Sequence, residues 1–245
     1  MSAAATDRDV VVMGGGLAGL TLAIQLKQRL PQLDVLVIER RSHPVPHAAH
    51  KVGESTVEIG ADYFANVLGL KAHLLSAQLK KFGFRFFFSD ARADIGRVLE
   101  LGASRYLSTP AFQIDRGIFE NHLGAQARAL GIDFRDDAVL RNFALGSEGA
   151  AHLATYDHDG GTHNVRTRWL VDASGRAGLI KRRLDLAADN GHPAHAVWFR
   201  IGARIDIDGW SDAAQWTQRC IAPERWRSTN HLVGNGYWVW LIPLA

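Results

Sequence analysis

The chain has 245 residues, 47% of them apolar and 22% charged, and its 28 basic and 25 acidic side chains give a formal net charge of +3. This composition is ordinary for a globular α/β protein with a full core, and it excludes a disordered or fibrous chain. Because the charges are scattered without a basic block, we expect neither nucleic acid nor a membrane surface as a partner.

Cysteine content and hydropathy indicate the compartment. Cys220 is the single cysteine of the sequence, which rules out a disulfide within the chain and favours a reducing environment. Residues 2–9 lack the basic segment and long apolar core of a signal peptide, and no apolar run reaches transmembrane length. We therefore expect a cytoplasmic protein.

Residues 9–39 predict a strand, a glycine turn, a helix and a second strand. The turn fits the pattern GxGxxG: the first glycine allows a tight turn, the second lets the backbone approach a pyrophosphate, and the third lets helix pack on strand. The helix N-terminus offers N–H groups and a partial positive charge to the phosphates. The residues that we predict to bind a dinucleotide here are Gly14, Gly16, Leu17, Ala18 and Gly19.

An acidic residue completes this pattern. Glu39 ends the second strand 20 residues after Gly19, where a carboxylate can accept hydrogen bonds from both ribose hydroxyls of an adenosine. We include Arg40, which follows it, in the predicted site. A structural turn in a parallel sheet is the alternative interpretation.

The next part of the chain predicts loops, two short helices and an aromatic strand. The three histidines of loop 40–50 form no ligand set with a cysteine or acid, so we predict no metal site. Ser55-x-x-Glu58 matches a capping box and predicts a helix that ends at Gly69, and a second helix is predicted over 72–78. Residues 82–88 predict a buried strand, and the loop-rich stretch 89–111 contains a hairpin return near 98–101.

From residue 115 onward we predict one long helix and several strands. Asp115 can cap a helix over 116–130, and a strand over 165–171 delivers Asp172 to the carboxyl edge of the sheet, where ligands bind in open α/β folds. Asp172 can equally be a turn residue. The other predicted strands are 132–134, 139–145, 152–156, 196–206 and 236–244, with Gly160-Gly161 as a hairpin turn.

Five motifs occur in order along the chain and resemble the flavin-dependent halogenase family, within the FAD monooxygenases of hydroxylase-like fold. They are Gly14–Gly19, Gly53-Glu54-Ser55-Thr56, Asp115-Arg116-Gly117, Asp172–Arg176 and Trp238-x-Trp240-x-Ile242-Pro243. The resemblance implies FAD as the cofactor, with Glu54, Ser55, Arg116 and Asp172 among the residues around it. It also implies that a separate flavin reductase reduces the FAD and that chloride or bromide is the co-substrate.

The resemblance further implies that hypohalous acid reaches a lysine beside an aromatic substrate. Lys81 occupies the matching position, with Lys80 as the second choice. The chemistry requires an amine near a desolvated aromatic wall, where its pKa is lowered. A solvated lysine pair before a strand is the alternative.

Side-chain alternation places Trp238, Trp240 and Ile242 on one strand face. Two indoles on one face usually pack in a core. In the resembled family this signature, which includes Pro243, separates flavin from substrate, so that the aromatic ring of the substrate cannot reach the flavin and be hydroxylated directly.

The expected fold is α/β: a Rossmann-like FAD-binding domain (1–78 and 112–186) with interleaved substrate-side sheet segments (79–111 and 187–245). It is expected to be C-terminally incomplete, an N-terminal fragment, since the family's later FAD and glutamate elements are missing. Leu20 stands where tryptophan halogenases have Trp, so phenolic, pyrrolic and indolic substrates, free or carrier-protein-bound, stay open. An FAD hydroxylase, an isoprenoid-saturating reductase and an inactive FAD-binding remnant are the alternatives.

Overall fold

The computed structural model describes residues 5–48, 51–89, 94–220 and 222–245. The predicted segments 2–9, 40–50 and 89–111 include residues 2–4, 49–50 and 90–93, which lie outside the described part. The α-helices and β-strands in chain order are β1 (Thr6–Met13), α1 (Leu17–Arg29), β2 (Val35–Ile38), α2 (Glu58–Asp62), α3 (Lys71–Ala77), β3 (Leu79–Lys81), β4 (Phe84–Phe88), β5 (Leu99–Gly102), β6 (Ala111–Gln113), α4 (Arg116–Ala129), β7 (Asp133–Arg135), β8 (Val139–Ala144), β9 (His152–His158), β10 (Gly161–Asp172), α5 (Leu179–Arg183), α6 (Ala214–Arg219), β11 (Thr229–Gly234) and β12 (Tyr237–Leu241). A π-helical turn, Tyr63–Val67, continues α2.

The first of two compact units comprises residues 1–49 and 116–196. Within the described residues it contains a six-stranded sheet in the order β7-β2-β1-β10-β9-β8. The strands β7, β2, β1 and β10 run parallel, and β9 and β8 extend the sheet in antiparallel pairs. The predicted strand, glycine turn, helix and strand are therefore confirmed, and so is the α/β fold class.

The sequence explains the central strands of this sheet. The last four residues of β1 and all of β2 are buried. Strands covered on both faces need continuous apolar runs rather than alternation. Helix α1 buries Leu20, Ala23 and Ile24 and packs against α4. The core of this unit thus lies under the glycine turn and holds it in place.

The second unit comprises residues 50–115 and 197–245. Its described residues contain a four-stranded sheet, β12-β11-β4-β5, and a two-stranded sheet, β3-β6. Residues 50–78 and 112–115 lie in this unit, whereas we expected them with the FAD-binding domain. The reason is that β6 pairs with β3, which belongs to this unit. Residues 54–56 pair in turn with 112–114: Thr56 N donates to Phe112 O and Ile114 N donates to Glu54 O.

Two predicted strands differ from the structure. The strand predicted over 82–88 is present only over Phe84–Phe88, because Gly83, whose φ is +94°, breaks the extended chain between β3, which ends at Lys81, and β4. Only one face of β4 is buried. The strand predicted over 196–206 is wrong: the described residues there form no strand, and Val197 and Phe199 are 93% and 77% exposed. Alternation defines two faces but does not supply a pairing partner.

The predicted capping box is also wrong. Helix α2 begins at Glu58 with Val57 as its N-cap, and no side chain caps it. Ser55 instead lies in extended chain that bridges to Gln113. Its hydroxyl is consequently directed to other side chains.

Candidate functional site

The glycine turn after β1 is sterically closed to any side chain. A Cβ on Gly14, whose φ is +119°, would lie 2.3 Å from Ala173 O, and a Cβ on Gly19 would lie 1.9 Å from Gly14 O. Both distances are far below contact. The turn therefore needs glycine at these positions to bring the end of β1, the start of α1 and residue 173 together.

The N-terminus of α1 follows this turn and fits a diphosphate. Gly16 is the N-cap, no side chain caps the helix, and its first turn contains no acidic residue. The first backbone N–H groups of a helix have no acceptor within it. Those of Leu17 and Ala18 can bind phosphate oxygens, which the helix dipole also attracts.

Glu39 lies beside the same turn. Its Oε2 accepts a hydrogen bond from Gly15 N at 2.7 Å, and its Oε1 accepts one from Arg41 N at 2.8 Å. Each carboxylate oxygen retains a lone pair for another donor. The position suits the predicted ribose contact, which stays a prediction, as does the role of the exposed Arg40.

Asp172 makes the contacts of a turn residue. It accepts hydrogen bonds from the backbone N–H and hydroxyl of Ser174 and, at 2.8 Å, from Ile180 N. Burial acts to raise the pKa of Asp172, but these hydrogen bonds outweigh it and hold the pKa below its usual value. Arg116 pairs with Glu120 at 2.6 Å, one turn along α4. Contacts of Asp172 and Arg116 with FAD remain predictions.

In the second unit, Lys81 is a buried amine. Its exposed fraction is 3%, and its Nζ donates to Ser55 Oγ at 2.9 Å and to Thr56 O at 2.8 Å. The same nitrogen lies 3.4 Å from the centroid of the Phe84 ring. The alternative of a solvated lysine therefore does not hold for Lys81, although its catalytic role remains a prediction.

Burial changes the acidity of this amine. Desolvation lowers the pKa of Lys81 to about 8, and the Glu58 carboxylate opposes part of this decrease. An ammonium loses more solvation than a free amine when it is buried. A fraction of Lys81 is thus uncharged near neutral pH.

Two further polar residues lie behind Lys81. Ser55 Oγ is 2.6 Å from Thr229 Oγ1, which is 2.9 Å from Gln113 Nε2. The sequence analysis missed Gln113 and Thr229 because it predicted neither β6 nor β11. Nothing in the neighbouring sequence marks them; only the pairing of distant strands places them here.

Lys80 points to a different environment. Its Nζ lies 4.5 Å from the Tyr106 ring centroid, and the Tyr106 hydroxyl donates to Glu224 at 2.9 Å. A small cavity is lined by Glu58, Lys80, Lys81, Gly83, Tyr106, Leu107, Thr109, Pro110 and Ala111. Both lysines thus reach one cavity, which neither Trp238 nor Trp240 lines.

The two tryptophans share a face of β12, as alternation predicted. Their ring centroids are 6.5 Å apart, and each is 52% exposed. Trp240 meets His231 edge-on, and His231 stacks on Phe86 with ring centroids 4.3 Å apart. The indoles therefore belong to an aromatic sheet face rather than to a closed core. The partition role of these residues, with Ile242 and Pro243 after the strand, stays a prediction.

Glu54 has a cationic partner that the sequence analysis missed. Arg200 Nη2 lies 3.3 Å from Glu54 Oε1 and 3.0 Å from Asp115 Oδ2. The three residues form an ion-pair cluster within the second unit. The flavin contacts of Glu54 and Ser55 stay predictions.

Among the described residues, no group of three or more His, Cys, Asp or Glu side chains could hold a metal ion. The described helices also include none that is both long and apolar enough to cross a bilayer.

Comparison with known proteins identifies relatives over nearly the whole chain. Residues 7–230 match the family described as FAD binding domain. The flavin-dependent halogenase chlA of Dictyostelium discoideum is 27% identical over 96% of this chain and 42% of its own length. The 1H-pyrrole-2-carbonyl-(peptidyl-carrier protein) brominase of Pseudoalteromonas luteoviolacea is 28% identical over 97% of this chain and 52% of its own.

A solved structure agrees in fold. Halogenase PltM in complex with phloroglucinol and FAD is similar with a TM-score of 0.70 and 19% identity, covering 96% of this chain and 48% of that one. The chain thus spans about half the length of the curated relatives that it matches. The resemblance that the five motifs predicted is confirmed at the level of relatives and fold.

Proposed function

The chain belongs to the FAD binding domain family, and from this premise we propose that it acts in a two-component flavin-dependent halogenase of an aromatic substrate. A separate flavin reductase supplies the reduced cofactor, and chloride or bromide is the co-substrate. One relative is named as a flavin-dependent halogenase and another as a brominase, which supports this proposal.

The residues of the first unit fit FAD. The uncapped N–H groups of α1 suit the diphosphate, and Glu39 suits the adenosine ribose. When bound and reduced, FAD supplies with oxygen the oxidising power that converts halide to hypohalous acid. The protein would hold this cofactor through backbone N–H groups next to a turn in which Gly14 and Gly19 leave no room for a side chain.

The observation that carries the proposal is the buried amine of Lys81. With a pKa of about 8, about a quarter of it is uncharged at pH 7.5, against about 0.1% for an unshifted lysine. The ammonium can donate to the oxygen of hypohalous acid. The free amine can attack its halogen: the N–X bond forms, the X–O bond breaks, and hydroxide leaves with an amine proton as water. Either form keeps the oxidant beside the substrate.

The substrate class is an electron-rich ring, phenolic, pyrrolic or indolic. One relative is named for a pyrrole on a peptidyl-carrier protein, which supports a carrier-bound substrate as well as a free one. Leu20, in place of the tryptophan found in tryptophan-specific enzymes, supports substrates other than free tryptophan. The lone Cys220 supports a cytoplasmic location.

The test combines the protein with a flavin reductase, FAD, a panel of aromatic compounds and chloride or bromide. Mass spectrometry should detect a halogenated product, and Lys81→Ala should reduce it by at least about 100-fold, within the range lost with a key catalytic group, while flavin oxidation by oxygen continues. Lys71→Ala, at an exposed position in α3, should leave the product yield unchanged.

Three outcomes contradict the proposal. A halide-independent, oxygen-containing product would indicate the hydroxylase. Equal loss of product and flavin oxidation in Lys81→Ala would place the role of Lys81 elsewhere. A colourless protein that gains no thermal stability from FAD would indicate a non-catalytic remnant.

A further inference from the structure

A line of polar groups runs from Lys81 into the second unit. Ser55 Oγ lies 2.9 Å from Lys81 Nζ and 2.6 Å from Thr229 Oγ1. Thr229 Oγ1 lies 2.9 Å from Gln113 Nε2 and 3.3 Å from Gln113 Oε1. Thr229 and Gln113 are 1% and 0% exposed, so the chain of hydrogen bonds ends in a buried amide rather than in solvent.

The charge of Lys81 sets the direction of this chain. An ammonium only donates, so Ser55 Oγ accepts from it and is free to donate its own proton to Thr229 Oγ1. Thr229 Oγ1 in turn accepts from Gln113 Nε2 at 2.9 Å and donates to Gln113 Oε1 at 3.3 Å. Each bond polarises the next, which strengthens the acceptor that Lys81 meets. Gln113 and Thr229 thereby keep the Ser55 hydroxyl turned toward the lysine as an acceptor.

We propose that Ser55, held by Thr229 and Gln113, is the positioning residue for the Lys81 amine. With the Thr56 carbonyl, which accepts at 2.8 Å, it fixes two of the three N–H directions. The Phe84 ring, whose centroid lies 3.4 Å from the same nitrogen, covers another side of the amine and offers only a weak acceptor. This inference rests on the proposed function, because the amine that Ser55 positions is the one proposed to hold the oxidant.

Other titratable groups near the amine act differently. The Glu58 carboxylate on α2 attracts the ammonium and opposes the decrease of the Lys81 pKa. Burial, with a smaller effect of the Lys81 charge, lowers the pKa of His231 on β11, so this imidazole is neutral where the lysine titrates. Lys80 and Tyr106 line the same cavity. A test must therefore follow the Lys81 signal itself.

The experiment is an NMR titration of the complete chain labelled with [13C]lysine. The sequence contains six lysines, and Lys81→Arg identifies the Lys81 Cε signal. The midpoint should lie near the value of about 8 given by burial. Ser55→Ala should lower it by about one pH unit, because a hydrogen bond to the charged form is lost.

Variants that keep or remove a hydroxyl separate positioning from simple packing. Thr229→Val keeps the branched shape and should lower the midpoint by about half as much, since Ser55 loses its hydrogen bond to the Thr229 hydroxyl. Thr229→Ser and Ser55→Thr retain the hydroxyls and should restore the parent value. Thr217→Val removes a hydroxyl that donates to Ala214 O within α6, and it should leave the midpoint unchanged.

The inference is overturned if Ser55→Ala and Thr229→Val are folded and titrate Lys81 at the parent midpoint. If Ser55→Ala fails to fold, the comparison of the Lys81 midpoint between Thr229→Val and Thr229→Ser decides whether the inference holds. A shifted midpoint in a protein that halogenates nothing would keep the positioning of the amine and reject the proposed function. An unchanged midpoint in an active halogenase would reject the positioning of the amine and keep the proposed function.

Discussion

The glycine turn of residues 14–19 and the polar cluster around Lys81 are built in opposite ways. The turn is backbone: it binds with N–H groups, and its shape depends on the absence of side chains at Gly14 and Gly19. The lysine site is made of side chains from separate parts of the sequence. The first is set by sterics and the second by desolvation and hydrogen bonding.

This difference determines how each region responds to change. A steric site tolerates almost no substitution, yet it is indifferent to pH. An electrostatic site tolerates changes of shape that keep its donors and acceptors, but its free energy varies with pH as its charged group titrates. Three predictions test this contrast.

The largest effect is expected for Gly19→Ala. The new methyl group would lie 1.9 Å from Gly14 O, which is backbone and cannot move without opening the turn. We expect the free energy of unfolding to fall by about 3 kcal/mol. Urea denaturation at pH 7 and pH 9 should give the same loss at both values.

Gly60→Ala is the matched control, because nothing lies within 4 Å of a Cβ at this helical position. It should stabilise the protein by about 0.5–1 kcal/mol. A Gly19→Ala protein as stable as the parent would show that the turn is not sterically determined.

The same contrast explains what the sequence could predict. The glycine turn, α1 and Glu39 follow one another within 9–39, so spacing alone identifies them. Lys81 could be selected from its motif, but its partners could not. Ser55, read as a helix cap, in fact bridges to Gln113, and this bridge depends on a contact between residues 58 positions apart.

Local patterns failed where pairing decided the outcome. Residues 196–206 alternate like a strand, yet their described part pairs with no strand and Phe199 is 77% exposed. Conversely, β11 was not predicted, although it joins β4 and β12. Periodicity reports which side of a segment is apolar; it does not report which segment lies beside it.

The second prediction concerns Lys81→Met. The pKa of Lys81 is about 8 in the folded protein, against 10.5 as the ordinary value, so the unfolded chain binds more protons between these values and stability rises with pH there. Between pH 7 and pH 9.5 we expect the parent to gain about 2 kcal/mol relative to Lys81→Met. Urea denaturation at both pH values measures this difference.

Lys71→Met controls for the general effect of pH. Lys71 is exposed, so its surroundings differ little between the folded and unfolded chain, and this variant should retain the pH response of the parent. If Lys81→Met also retained that response, the lysine would not be desolvated, and the electrostatic side of the contrast would fail.

The smallest effect is expected at Asp172, and it tests whether electrostatic interactions also stabilise the region of the glycine turn. Asp172 precedes the residue that Gly14 contacts, and its carboxylate accepts from Ser174 and Ile180. Asp172→Asn exchanges one acceptor for a donor, and we expect a loss of about 1 kcal/mol at pH 6. The hydrogen bonds hold the pKa of Asp172 below its usual value, so this stabilisation is present above the unfolded pKa and is lost as pH falls through the folded pKa.

Urea denaturation at pH 6 and pH 3 should therefore show a smaller difference in unfolding free energy between the parent and Asp172→Asn at pH 3. The control is Glu148→Gln, at an exposed loop position, which should leave stability within about 0.5 kcal/mol of the parent at pH 6. An equal loss at both pH values would assign Asp172 a steric role like that of the neighbouring glycines. Asp172 would then belong with Gly14 and Gly19, as a position of this sheet edge that is determined by shape rather than by charge.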